Sequence, residues 1–179
     1  MKYDLPKSVE IDGKDYRIRS DYRAILDIIS ALEDPELNDH EKAIVCLEIF
    51  YEKVPDNVKE ALEKCFDFIS LGKNEDGRRK PKLVDWEQDF DMIIAPINRV
   101  AGREIRNDEY LHWWTFIGLY NEIGDCLFAQ VVGIRDKKAR NKKLDDAEKE
   151  FARRNADLIN IKTHYTDAEN ALLEAWANG

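Results

Sequence analysis

The chain has 179 residues, 44% hydrophobic and 36% charged, with a formal net charge of −9 at pH 7. This much apolar material supports a buried core and excludes a disordered chain, and the length fits one domain, or one domain with an appendage. The acidic balance argues against a domain built to bind DNA, and three widely spaced cysteines, Cys46, Cys65 and Cys126, form neither a metal knuckle nor a redox pair.

The opening MKYDLPKSVEIDG lacks an apolar stretch, so no secretion signal is expected. In SVEIDGKDYRIRS, Val9 and Ile11 alternate with polar residues, as do Tyr16 and Ile18 beyond an Asp12-Gly13 turn. This predicts a β-hairpin, which must lie on something to be stable. Ser20 is expected to cap a helix from Asp21 to Leu32 with Ile25, Ile28, Ile29 and Leu32 on one face. Asn38 with Glu41 predicts a capping box opening a second helix through Tyr51. Pro55 is expected to open a third, Asp56 to Leu71, packing through Val58, Leu62, Cys65, Phe66 and Ile69.

Residues 72–84 read as a flexible loop. A fourth helix runs from near Asp85 to Val100, with Pro96 predicting a kink or a restart. Asn107 or Asp108 then caps a long fifth helix, DEYLHWWTFIGLYNEIGDCLF, apolar almost all round from Tyr110 to Leu119.

After Ile134 the character changes. RDKKARNKK is a basic linker, and Leu144, Phe151, Leu158, Tyr165 and Leu172 then recur every seven residues, with Ala147, Ile161, Ala168 and Ala175 three further on. The seam suggests self-association, and Thr166 with Glu169 has the pattern of a fresh capping box, which leaves one helix and two helices equally open. The expected fold is mostly α: an N-terminal β-hairpin packed on a bundle of about five helices, plus a C-terminal helical arm. The expected division is 1–134, hairpin plus helical body, and 135–179, basic linker and arm.

Chemistry is hard to find. The Trp113-Trp114 pair has no interleaved Lys or Arg and reads as core, not as a base-stacking platform. His112 reads as a core or boundary residue with one nitrogen satisfied. The series Asp85, Glu87, Asp89, Asp91 fails as a calcium loop, because Phe90 stands at the glycine position and Pro96 at the terminal glutamate. Phosphate-binding loops, nucleophile elbows and zinc motifs are absent, so no catalytic, cofactor-binding or metal residue and no cofactor is expected. The uncharged run Tyr110 to Asn121 is too short to span a bilayer. Leu158, Tyr165, Leu172, Leu173 and Trp176 are the expected partner-binding residues, and the terminal stripe fits docking on the body and docking on a partner equally.

LPKSVEIDGKDYRIRSDYR, KAIVCLEIFYEKVPDNVKEALEKCFDFISLGK, DWEQDFDMIIAPINRVAG and EYLHWWTFIGLYNEIGDCLFAQVVGIR, in this order, resemble a family of small tail-module proteins of long-tailed phages and prophages of Gram-positive bacteria. The resemblance covers roughly residues 5–140. VAGREIRND replaces an aromatic-Gly-Ile-Asp stretch of the family. The resemblance implies a non-enzymatic tail assembly chaperone that binds the tape-measure protein and assists tail tube assembly, with tube subunits as a second partner. Such a protein works in the host bacterial cytoplasm and is absent from the mature virion. Two alternatives remain open: a structural or adaptor protein retained in the virion, and a nucleic-acid-associated regulator using the basic segment 135–143.

Overall fold

A computed structural model of the chain describes residues 4–72 and 81–169. The described residues form eight α-helices and one 3-10 turn, with a two-stranded hairpin at the N-terminus, so the fold is mostly helical as expected. The chain divides into two compact units, Met1–Asn74 with His112–Trp114 and Thr163–Gly179, and Glu75–Leu111 with Thr115–Lys162.

In the first unit, β1 (Ser8–Ile11) pairs antiparallel with β2 (Lys14–Arg17), placing Val9 opposite Tyr16. Asp12 and Gly13 turn the chain with φ of 49° and 71°, the double left-handed geometry that matches the twist of a hairpin. β1 packs on α3 (Val58–Ile69). The helix α1 (Tyr22–Glu33) is capped by Asp21, whose carboxylate accepts from the Arg23 N–H. Ser20, expected in that role, is instead buried, and its carbonyl accepts from the Trp113 N–H at 2.8 Å. The helix α2 (Asp39–Phe50) has the expected Asn38–Glu41 capping box.

Two expectations here need correction. α3 starts after an Asn57 cap rather than at Pro55, and it buries Ala61, Cys65 and Phe68. Val58 and Phe66, expected to pack, are 49% and 44% exposed. The buried face meets the end of α2, with the Phe68 ring centroid 5.3 Å from that of Phe50 and the Tyr51 hydroxyl donating to the Ala61 carbonyl, and it leaves Val58 and Phe66 outside the contact.

In the second unit, α4 (Trp86–Ala101) is capped by Asp85 and runs through Pro96 as one helix, so of the kink and the restart expected there the restart does not occur. Gly102 ends it in the left-handed region, and a 3-10 turn follows at Ile105–Asn107. The expected long fifth helix is two. α5 (Trp113–Asn121), whose first two residues belong to the first unit, stops before Gly124 at φ 59°, and α6 (Leu127–Ala139) starts afresh. Cys126 caps α6, its Sγ accepting from the Ala129 N–H at 3.5 Å. Asp108 does not open α5: it closes the 3-10 turn, its N–H donating to the Ile105 carbonyl, and its carboxylate pairs with Arg103 at 2.8 Å.

The C-terminal stretch is not the continuous heptad helix the spacing suggests. α7 (Asp146–Arg154) opens on an Asp145–Glu148 capping box and ends at Asn155, and α8 (Ala156–Ile159) is a single turn. Ile159 joins Val131 and Ile134 of α6 in a buried cluster, with Leu144, Phe151 and Leu158 half-buried against it. Three seam residues therefore pack within the second unit. Thr166 and Glu169 exchange side-chain hydrogen bonds as a fresh capping pair. Leu172, Leu173 and Trp176 lie outside the described residues.

Candidate functional site

Among the described residues, three helix C-termini are finished by side chains brought from elsewhere in the chain, and these junctions organise the candidate surfaces. A helix ends with carbonyls that lack intrahelical partners, so donors placed there both stabilise and orient it. At the end of α2, Arg19 Nη1 donates to the carbonyls of Glu48, Ile49 and Tyr51 at 2.7, 3.0 and 2.6 Å.

At the end of α3 the donors are the paired tryptophans. Trp113 Nε1 donates to the Ile69 carbonyl and Trp114 Nε1 to the Phe68 carbonyl, both at 2.9 Å. Trp114 also stacks on the Phe68 ring, centroids 5.6 Å apart. The pair is architecture, and both rings have a specific polar task. His112 completes the junction. The Trp114 N–H donates to Nδ1 at 3.0 Å, so Nδ1 is the acceptor and Nε2 carries the hydrogen toward the Pro6 carbonyl at 2.9 Å. Both nitrogens are satisfied, one more than expected. Burial holds the imidazole below its ordinary range, with the Pro6 contact opposing and Lys7 assisting. A neutral, doubly bonded ring is a poor general acid or base. Beside it an open cleft of about 440 Å³ is lined by Val9, Lys64, Phe68 and Trp114 among others.

The third junction involves the C-terminal segment. Arg135 is 5% exposed and its side chain meets Asp89, itself 0% exposed, through two bonds of 2.6 and 2.9 Å. Asp89 also accepts from the Asp85 N–H at 3.0 Å, which ties the pair to the start of α4. The same guanidinium donates to the carbonyls of Leu83, Leu158 and Ile159. Gln88 adds donations to the carbonyls of Asp157 and Asn160. Sequence reasoning missed this node, reading Arg135 as one cation in a basic linker and Asp89 as one acid of a series that fails as a calcium loop. No local signal pairs residues 46 apart.

The basic segment is therefore less available than its composition suggests. Arg135 is buried, Lys137 pairs with Glu148, Lys138 reaches the Asn160 side chain, and Arg140 pairs with Asp136. Lys142 and Lys143 have no ion-pair partner among the described residues. Of the expected partner-binding residues, Leu158 is half-buried in the second unit and Tyr165 is 45% exposed in the first.

Asp85 and Asp89 are engaged as a cap and an ion-pair partner. Among the described residues no group of three or more His, Cys, Asp or Glu side chains is placed to hold a metal ion. Cys46 and Cys65 are buried thiols whose ionisation burial opposes. No described helix is long and apolar enough to cross a membrane.

Comparison with curated proteins and with solved structures returns no match. A protein-family model described as "Bacteriophage Gp15 protein" matches residues 1–161. Matched over most of its length, the chain belongs to the bacteriophage Gp15 protein family.

Proposed function

We propose that this phage protein is a non-enzymatic tail assembly chaperone that holds the tape-measure protein while tail tube subunits gather on it. The observation that carries the reading is the apolar stripe on α3, where Val58 and Phe66 are exposed with Leu62 half-buried between them, in a chain that is otherwise highly charged. Apolar positions four residues apart on a helix are the type of surface that receives another amphipathic helix. The resemblance of residues 5–140 to tail-module proteins supplies the client.

On this reading the protein acts in the host cytoplasm without a cofactor, and competition during assembly, not nucleotide hydrolysis, releases the client. The basic segment offers less support to a nucleic-acid role, since four of its six cations are engaged internally.

Mass spectrometry of infected-cell lysate and of purified particles tests the reading against a retained structural protein. The protein is expected in lysate and absent from particles. Stoichiometric presence in particles would replace the chaperone with a virion component.

A further inference from the structure

The donors of Arg135 divide between two kinds of partner. Nη1 and Nη2 bind the Asp89 carboxylate, and Nη1 also reaches the Leu83 carbonyl at 2.9 Å. Nε and Nη2 face the other way, donating to the carbonyls of Ile159 at 3.1 Å and Leu158 at 2.6 Å. Gln88 repeats the arrangement: Nε2 donates to the carbonyls of Asp157 and Asn160 at 3.2 and 3.1 Å, and Oε1 accepts from the Lys162 N–H at 2.9 Å. The contacts of Arg135 and Gln88 with 157–162 all read main chain, and Lys138 of α6 adds one to the Asn160 side chain at 3.3 Å. The side chain that accompanies them is Ile159, 3% exposed against Val131 and Ile134, while α7 just before it has no buried residue.

We propose that this face of α4 and α6 is a receptor for the carbonyl end of a short helix bearing an aliphatic residue, that the chain's own residues 156–162 fill it, and that a helical client segment takes their place. The identity of the occupant rests on the chaperone reading; the receptor does not. Asp89 and Leu83 belong to the receptor side, so the guanidinium stays paired and aimed outward when 156–162 leave. Departure uncovers Ile159 and the parts of Val131, Ile134 and Arg135 that it covers, while the rest of α4 and α6 keeps its packing, so it is a local opening below the cost of global unfolding. Contacts to carbonyls select shape and an aliphatic plug rather than a sequence, which suits a protein that holds helices of varied composition.

The test uses the full chain and a fluorescent peptide of its own residues 144–162, read by anisotropy. A site occupied in cis binds weakly, in proportion to the fraction of time it is open. Ile159→Ala in the protein loosens the resident segment and leaves the receptor untouched, so it is expected to tighten peptide binding about tenfold or more. Gln88→Ala added to it should remove the gain, and a peptide carrying Ile159→Asp should not bind. A folded Ile159→Ala protein that binds no peptide, or binds the Asp peptide equally well, overturns the proposal. Hydrogen exchange on the unmodified protein gives a reading that does not depend on the variant. The amides of 156–162 are expected to exchange faster than those of Val131–Arg135, and exchange of both only together overturns it. Because the peptide is the chain's own, failure here leaves co-purification with the tape-measure protein unaffected.

Discussion

Replacing Asp89 with alanine leaves the Arg135 guanidinium buried without its counter-ion. Both side chains are almost fully enclosed, at 4% and 0% exposure, and the contact has two bonds of 2.6 and 2.9 Å. Removing one member of such a pair costs ~3–5 kcal/mol, because the desolvation of the remaining charge is no longer offset. The three carbonyls that Arg135 retains compensate only in part, since neutral acceptors stabilise a cation less than a carboxylate does. With a urea dependence of about 2 kcal/mol per molar, a loss of ~4 kcal/mol lowers the unfolding midpoint by about 2 M. Urea titration followed by circular dichroism measures this. The double variant Asp89→Leu with Arg135→Met, which removes both charges, is expected to lose less than Asp89→Ala alone. A single variant within ~0.5 kcal/mol of the parent, or a double variant worse than the single, would refute the description of Asp89–Arg135 as a buried, mutually dependent pair.

Phe66→Ser on the outer side of α3 is expected to change stability by less than ~1 kcal/mol, whereas Phe68→Ala should cost ~3–5 kcal/mol, and thermal melts of the two distinguish the buried face of the helix. His112 has a folded pKa below its ordinary 6.5, so the unfolded chain binds the proton first. Its contribution is therefore complete above pH 6.5 and falls as the pH drops through the folded value, a slope that should flatten in His112→Gln when urea midpoints are compared from pH 7.5 to 5. Gly124→Ala should destabilise by ~1 kcal/mol or more through backbone strain alone, as φ is 59° while a Cβ there would meet nothing within 4 Å. Equal or greater stability of that variant would show that the break between α5 and α6 does not depend on glycine.

Local signals were legible in the sequence. The Asp12-Gly13 turn and the Asn38–Glu41 box each act over four residues or fewer, and the structure has both. What the sequence hid depends on packing at a distance. The apolar run Tyr110 to Leu119 looked continuous with the helix after it, and Gly124 inside a charged EIGDC stretch was too weak a signal to divide them. α3 offered more than one apolar stripe, and only the partners at the end of α2, Phe50 against Phe68 and the Tyr51 hydroxyl on the Ala61 carbonyl, decide which is buried. The seven-residue repeat from Leu144 read as an arm because Arg135, the residue that anchors its middle, looked like part of a solvated basic run. For the same reason Leu158 was legible as an interaction residue but not as one already occupied within its own unit.

That occupancy changes how the central claim is tested. A chain cut at residue 143 would strip Arg135 of two carbonyl partners and uncover Ile134, so the informative cut falls after Glu169. The measurement is co-expression of the tape-measure protein of the same phage with the full chain and with the chain ending at Glu169, followed by pull-down. The chaperone account predicts that the tape-measure protein becomes soluble and co-purifies with the full chain, and that the shorter chain loses it if Leu172, Leu173 and Trp176 make the contact. A tape-measure protein that stays insoluble and never co-purifies with the folded full chain would contradict the account.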